Sequence, residues 1–217
     1  MENGVTAKEN LSNAWLVLDV DGVLLDSRRA GRGTWKDEFS ARFNVNADEL
    51  RAAFFEKYWN DVVIGLRDVT STLSAALSQL QWDIDVEDAL ACWFEADFST
   101  NDDVLEKVAT LSKRGVLVAV ATNQEHRRAA FLHERLQNLV PLRGFVYSAQ
   151  LGLLKSDHRF FVATQHRLGL RAERGRVVLV DDSLENVVSA RRAQWHAVHF
   201  EESRDWYAQV ESVLCAD

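Results

Sequence analysis

Two carboxylates follow an apolar run near the start of the chain. The run AWLVL, residues 14–18, leads directly into DVDGVLLDS, which begins at Asp19 and places Asp21 two residues later. Like charges this close together destabilise a fold unless something cationic lies between them. The pair therefore poses the question of whether the rest of the chain supplies a cation or a site for one.

Polar residues follow the later apolar runs in the same way. They are Thr122, Asn123, Lys155, Asp181 and Asp182. In open α/β sheets, ligands bind at the carboxyl ends of the strands. If the apolar runs are strands of such a sheet, all of these groups and the first aspartate pair are expected to meet in one crevice.

The chemistry of this set is that of a site for metal and phosphate. The four strand-end aspartates would repel one another, and Mg²⁺, which takes oxygen ligands and commonly pairs carboxylates with a substrate phosphate, removes the problem. Thr122, expected at the N-terminus of the next helix, can offer its hydroxyl and backbone N–H groups to a phosphate. Lys155 adds a compact positive charge. A carboxylate can also act as nucleophile, so the set predicts phosphoryl transfer through an aspartyl-phosphate.

Five short apolar runs, rich in β-branched and aromatic residues, must position these groups. They are residues 15–20, 116–121, 144–148, 176–180 and 196–200. Runs that barely alternate in polarity are typical of strands buried on both faces, as in a parallel sheet. Helical patterns separate the later runs, and the one after Asn101 begins at a capping residue and ends at Gly115. Alternating strands and helices predict a doubly wound, Rossmann-like α/β sheet.

One interval breaks this alternation. Residues 26–99 contain no buried strand pattern but three amphipathic helical patterns, including one that aligns Leu66 with Val69 and Leu73. We therefore predict a helical insert over residues 26–99 and a catalytic α/β core over residues 1–25 and 100–217. Flexible edges are expected at Gly31 and Gly33 and at residues 99–102. Candidate substrate contacts on the insert side are Arg28, Arg29, Arg32 and Trp59.

Composition narrows the class of protein. The 217 residues are 47% hydrophobic and 27% charged, which is ordinary for a globular protein. The net charge of −8 argues against a general nucleic-acid or anionic-membrane role. Cys92 and Cys215 are in no metal-type spacing and favour a reducing compartment. With no signal peptide and no apolar run of membrane length, the chain is expected to be cytoplasmic; the sequence leaves its oligomeric state open.

The motifs together resemble the haloacid dehalogenase (HAD) superfamily. LVLDVDGVLLDS, residues 16–27, is similar to the first motif of that family, VAVATN, residues 118–123, to the second, Lys155 to the third, and VVLVDDSLENVVSA, residues 177–190, to the fourth. They occur in the family's order, and the helical insert resembles the family's helical cap. Ser156 departs from the pattern, since many relatives have proline after the lysine.

The resemblance implies roles for the matched residues. Asp19 would be the nucleophile, and Asp21 the general acid for the leaving oxygen and then the base for water. Thr122 and Asn123 would hold the phosphate, and Lys155 would steady it together with Asp19. In the family, Mg²⁺ would bind Asp19, the backbone carbonyl of Asp21, Asp182 and the adjacent Asp181. The dehalogenase branch lacks an acid at the position of Asp21, so its presence favours a small phosphorylated substrate.

Other functions stay open at this point. A phosphosugar mutase of the same fold would need further groups on the insert. A non-catalytic phosphate-binding or regulatory protein would be expected to lack the nucleophile, the acid or the metal aspartates, and all of them are present. A receiver domain of a signalling pair is disfavoured, because here a second acidic pair follows the lysine. A phosphonate-cleaving enzyme would need a lysine on the insert, for which Lys36 and Lys57 are the candidates.

Overall fold

The strands form where the apolar runs predict them. A computed structural model describes residues 11, 13–26, 34–171 and 176–215 of the chain. Within these residues the strands are β1 (Trp15–Leu18), β2 (Leu117–Thr122), β3 (Leu142–Tyr147), β4 (Val177–Asp181) and β5 (His196–His199). Their ends differ by one or two residues from the predicted runs. β1 stops at Leu18 because the chain turns after it, with the N–H groups of Val23 and Leu25 both donating to the carbonyl of Val20.

The strands pair in the order β3-β2-β1-β4-β5, and every pairing is parallel. β1 lies in the middle, so its carboxyl end is flanked by the carboxyl ends of β2 and β4. Leu16 and Leu18 pack into the apolar core on one face of the sheet, and Val17 packs into the core on the other. Burial on both faces explains the uninterrupted apolar sequence and confirms the predicted doubly wound parallel sheet.

Helices cover both faces of the sheet. In the core of the described structure they are α6 (Asp102–Lys113), α7 (His126–Leu136), α8 (Ser148–Leu151), α9 (His158–Leu168), α10 (Leu184–Arg192) and α11 (Trp206–Leu214). Asn101 caps α6 as predicted, because its side chain accepts from the N–H of Val104. Asp157 caps α9 in the same way, so the absence of proline after Lys155 leaves a well-defined helix start. No described helix has the length and apolarity needed to cross a bilayer.

The described part of the predicted insert consists of helices joined by turns and short irregular segments. Its helices are α1 (Trp35–Phe43), α2 (Ala47–Leu50), α3 (Glu56–Val62), α4 (Val69–Gln79) and α5 (Val86–Ala96), with a π-helical turn (Arg51–Phe55) joining α2 to α3. They enclose an apolar cluster of their own. Leu66 was wrongly placed on the buried face of α4: the Asp68 side chain caps the helix so that it begins at Val69, and Leu66 is 73% exposed. Trp59 packs against Trp93, at 5.7 Å between ring centroids.

The two chain segments that join the insert to the core are hydrogen bonded to each other. Leu25 forms an antiparallel bridge with Thr100, and the N–H of Asp26 donates to the carbonyl of Ser99 at 2.8 Å. Gly31, Gly33 and the candidate contacts Arg28, Arg29 and Arg32 lie outside the described residues. The flexible edges and the domain division at residues 26 and 99 therefore remain predictions.

Candidate functional site

Three charged side chains meet at the carboxyl end of the sheet. Asp19 follows β1, Asp181 ends β4, and Lys155 lies in the loop between α8 and α9; all three are at most 6% exposed. The Lys155 Nζ donates to Asp19 Oδ2 and, at 2.8 Å, to Asp181 Oδ2. The lysine therefore lies between two buried carboxylates.

Backbone and side-chain hydrogen bonds fix each member of this cluster. The N–H of Asp19 donates to the carbonyl of Val180 on the neighbouring strand, at 3.0 Å. Asp181 Oδ1 accepts from the N–H of Ser183 and from Asn186 Nδ2, at 2.9 and 3.0 Å. The chain at Lys155 is held by Asn123, whose Oδ1 accepts the Lys155 N–H at 3.0 Å. Asn123 thus positions the loop that contains Lys155. Phosphate binding by Asn123 alone would not require this hydrogen bond.

The electrostatics of the cluster are set first by burial and then by the charges of its members. Burial raises the pKa of Asp19 to about 7; Lys155 opposes the rise, and the neighbouring Asp181 adds to it. For Lys155, burial alone would lower the pKa, but the attraction of Asp19 and Asp181 outweighs it and the pKa is raised. Lys155 is therefore a permanent cation, whereas the nucleophile candidate Asp19 would ionise more fully if a further positive charge were bound beside it.

The donor set for such a charge is present. Asp19, Asp181 and Asp182 each offer a carboxylate oxygen, and these three atoms lie within 4.8 Å of one another. Gly22, with φ of +78°, allows this approach: a Cβ on it would lie 2.2 Å from Asp182 Oδ2. With the three carboxylates ionised and Lys155 protonated, two negative charges remain. An all-oxygen set with that charge fits a hard divalent cation such as Mg²⁺.

The side chain of Asp21 is hydrogen bonded to residues outside this carboxylate cluster. Its two oxygens accept from the Arg128 guanidinium, Oδ1 from Nη2 and Oδ2 from Nη1, both at 2.8 Å. Gln124 Nε2 also donates to Oδ2, at 2.6 Å. Burial alone would raise the pKa of Asp21, but Arg128 and Gln124 outweigh it and lower the pKa. The side chain is thus no part of the carboxylate cluster, in keeping with the expectation that only the backbone carbonyl of Asp21 would bind metal.

A cavity of about 280 Å³ is lined by all of the predicted site residues except the fully buried Asp181. Its lining within the described structure consists of Asp19, Asp21, Gly22, Thr122, Asn123, Lys155 and Asp182. The expected placement of Thr122 at the start of a helix is wrong: Thr122 is the last residue of β2, and α7 begins at His126 after its cap Glu125. The 1% exposed Thr122 therefore ends the strand beside β1 and reaches the cavity from there.

The sequence interpretation missed three residues whose side chains hydrogen bond to the aspartates: Gln124, Arg128 and Asn186. No helical spacing marked the first two, because Gln124 precedes the cap Glu125 and lies outside α7. Asn186 follows Asp181 by five residues, in the first turn of α10. In each case the partner carboxylate lies where the chain topology places it, which local pattern does not reveal.

Comparison with solved structures supports the fold. A HAD family enzyme from Bacteroides thetaiotaomicron aligns with a TM-score of 0.72 at 14% identity, over 91% of this chain and 98% of that one. A structure described as a dehalogenase aligns with a TM-score of 0.64 at 16% identity, over 95% and 99%. A HAD phosphatase from Thermococcus onnurineus aligns with a TM-score of 0.58 at 20% identity, over 88% of each chain. Identities this low establish shared architecture and no shared substrate.

Comparison of sequences gives the family. No curated protein matches the chain significantly. The sequence profile of haloacid dehalogenase-like hydrolases, in contrast, matches residues 14–194, from the start of β1 to the end of α10. That span contains the insert and every residue of the cavity, so that profile, architecture and strand-end chemistry agree: the chain belongs to the haloacid dehalogenase-like hydrolase family.

Proposed function

We propose that this hydrolase cleaves a small phosphorylated metabolite, with Mg²⁺ as cofactor and with the phosphoryl group carried transiently on Asp19. The observation that carries the proposal is the cavity itself, in which the buried carboxylate of Asp19 lies beside a buried lysine and which Thr122 also lines. A nucleophile, a cation and a phosphate-binding hydroxyl in one small cavity are what phosphoryl transfer to a carboxylate requires.

In the first step a carboxylate oxygen of Asp19 attacks phosphorus and the bond from phosphorus to the leaving oxygen breaks. Lys155 and Thr122 would face the charge on the transferring group. Asp21, which also lines the cavity, would protonate the leaving oxygen. Mg²⁺ held by Asp19, Asp181, Asp182 and the Asp21 carbonyl would neutralise the carboxylates and the phosphate during this transfer.

In the second step water attacks the phosphorus of the aspartyl-phosphate. Asp21 takes a proton from that water, the bond between phosphorus and Asp19 breaks, and inorganic phosphate leaves. The ion pair with Arg128 favours the carboxylate form of Asp21, which is the form that this step needs, and it opposes the protonated form that the first step needs. The Bacteroides enzyme of similar fold has been solved with magnesium and inorganic phosphate, a product of such a reaction.

The competing functions are less well supported by the residues present. Dehalogenation is suggested by a structural neighbour described as a dehalogenase. In that reaction Asp21 would have no catalytic role, because a halide leaving group needs no proton. Phosphonate cleavage would need an available lysine on the insert, whereas Lys36 pairs with Asp48 at 2.7 Å on the surface. A mutase would require groups on the insert that hold a sugar in two orientations, and the described cavity is lined by core residues.

The direct test is metal dependence. Excess EDTA should reduce hydrolysis of an aryl phosphate to the level of an Asp19→Asn variant, and Mg²⁺ should restore it. The variant serves as the control for contaminating phosphatases. Full activity in excess chelator, or Mg²⁺-independent release of halide from a 2-haloacid in place of phosphate release, would contradict the proposal. A panel of phosphorylated metabolites would then identify the leaving group.

Gly22 provides a second test, of the metal-binding geometry. Gly22→Ala should raise the Mg²⁺ concentration for half-maximal activity by about 10- to 100-fold, as loss of metal-site support commonly does, because the new Cβ displaces Asp182. Gly152→Ala is the matched control: its φ is +67°, but nothing lies within 4 Å of a Cβ there. Both variants carry a left-handed backbone cost of about 1–2 kcal/mol. Equal Mg²⁺ requirements in the two variants would contradict the proposed metal site.

A further inference from the structure

The carboxylate of Asp21 is held from one side by two residues that the proposed chemistry does not yet use. Arg128 on α7 contributes a fork of two N–H donors, one to each carboxylate oxygen, and Gln124 adds a third donor. Gln124 Oε1 in turn accepts from Arg128 Nη1 at 2.9 Å. The three side chains form a closed set of hydrogen bonds whose only exposed member is Asp21, with 52% of its side chain accessible.

This arrangement restricts how Asp21 can turn. A two-point guanidinium contact fixes the plane of a carboxylate as well as its position. Gln124 and Arg128 both donate to Oδ2, whereas Oδ1 takes a single side-chain donor in these contacts. A carboxylate oxygen has capacity for two. Oδ1 therefore retains room for one more hydrogen bond, and Asp21 lines the cavity.

The guanidinium of Arg128 is buried, and both of its terminal nitrogens donate to Asp21. Its side chain is 5% exposed, and its Nη2 lies 3.8 Å from Asp97, the residue that caps the C-terminus of α5. Its Nε has no hydrogen-bond partner among the described residues. A buried donor without a partner destabilises the fold. An arginine that served only to neutralise charge could lie in an orientation that satisfies Nε; here both terminal nitrogens are directed to Asp21 instead.

We propose that Arg128 is a positioning residue for Asp21, holding the carboxylate so that Oδ1 faces the water that attacks the phosphorylated Asp19. The inference rests on the proposed function, since it presupposes that Asp21 is the base of the second step. Gln124 supports the same orientation. The contact with Asp97 also connects this carboxylate to the end of the insert's last helix.

The consequence is a selective defect in one step. Misplacing a catalytic group by about 1 Å costs on the order of 10²-fold in rate. Without the fork of Arg128, breakdown of the aspartyl-phosphate should slow by about this factor. Its formation from an aryl phosphate should slow much less, because an aryl leaving group needs little protonation. The phosphorylated enzyme should therefore accumulate during turnover.

The chain offers a matched pair of variants. Arg128→Lys retains the charge and loses the fork. Arg127→Lys is the control: Arg127 is the adjacent residue and also forms a two-point pair with a carboxylate, Glu87 of α5, but on the exposed surface and without contact to Asp21. Acid quench during turnover of a labelled aryl phosphate with Mg²⁺ measures the phosphorylated fraction of the enzyme. A chase with excess unlabelled substrate, without EDTA, then measures how fast the labelled phosphoryl-enzyme breaks down.

We expect Arg128→Lys to accumulate phosphorylated enzyme and Arg127→Lys to match the wild type. A folded Arg128→Lys variant with wild-type breakdown, or with formation and breakdown slowed equally, would overturn the inference. If Arg128→Lys fails to fold, Gln124→Met removes one donor from Asp21, and wild-type breakdown in that variant would overturn it instead. If the wild type shows no Mg²⁺-dependent hydrolysis that Asp19→Asn removes, the proposed function and this inference both fail.

Discussion

Asp19→Asn should abolish phosphate release from every substrate while leaving the fold intact. The amide has nearly the shape of the carboxylate but is not a nucleophile, so no aspartyl-phosphate can form. The fold should tolerate the change because the raised pKa of Asp19 reflects a site where a negative charge is disfavoured by burial and by Asp181. The measurements are phosphate release and the thermal midpoint. Residual activity that depends on Mg²⁺ would assign the nucleophile elsewhere.

The matched variant Asp21→Asn should behave differently. It retains the nucleophile and loses the group that moves protons, an effect of about 10²–10⁴-fold for general acid–base catalysis. The defect should be larger for alkyl phosphates, whose leaving oxygen needs a proton, than for aryl phosphates. Equal defects for the two substrate classes would contradict the role of Asp21 in protonating the leaving group.

Lys155→Met should produce the largest loss of stability among the site variants. The lysine lies between Asp19 and Asp181, and its removal leaves two buried carboxylates without their cation. Breaking a buried ion pair by removing one partner costs about 3–5 kcal/mol. Denaturant unfolding in the presence of EDTA, so that no metal replaces the lysine, measures the free energy of unfolding of the variant and the wild type.

The control for this prediction removes one of the two buried carboxylates that Lys155→Met leaves without a cation. Lys155→Met combined with Asp181→Asn leaves a single buried carboxylate, Asp19, which can take up a proton because burial raises its pKa. The double variant should therefore be more stable than Lys155→Met alone. If the double variant is no more stable, or if Lys155→Met unfolds at the wild-type denaturant concentration, the lysine is not the cation that holds the two carboxylates together.

Much of the core could be predicted because its signals are local. Strands buried on both faces require runs such as residues 177–180, and the polar residue that ends each run marks the carboxyl edge of the sheet. Once the strands are parallel, that edge brings Asp19 and Asp181 together without any further information. Lys155 reaches them from the loop between α8 and α9, which the strand ends alone do not place. The position of the two carboxylates therefore followed from strand ends and residue type.

The errors and omissions have equally definite causes. Leu66 matched the helical spacing, but the capping Asp68 starts the helix later, and a cap overrides periodicity at a helix end. Arg128 belongs to a helix rich in arginines, and nothing in its neighbourhood distinguishes it from Arg127. Its partner Asp21 is 107 residues away in the chain. Contacts of that kind depend on how α7 is rotated against the sheet, which hydrophobic periodicity sets only approximately.

The central claim, that Asp19 carries the phosphoryl group, can be tested by trapping the intermediate. Asp21→Asn is mixed with an aryl phosphate and Mg²⁺, quenched rapidly in acid, digested and analysed by mass spectrometry. Without a base to activate water, the phosphorylated enzyme should persist, and the added phosphoryl mass should lie on Asp19 in the peptide that contains it. Phosphoryl mass on Asp181, Asp182 or a serine would contradict the account even if the protein released phosphate.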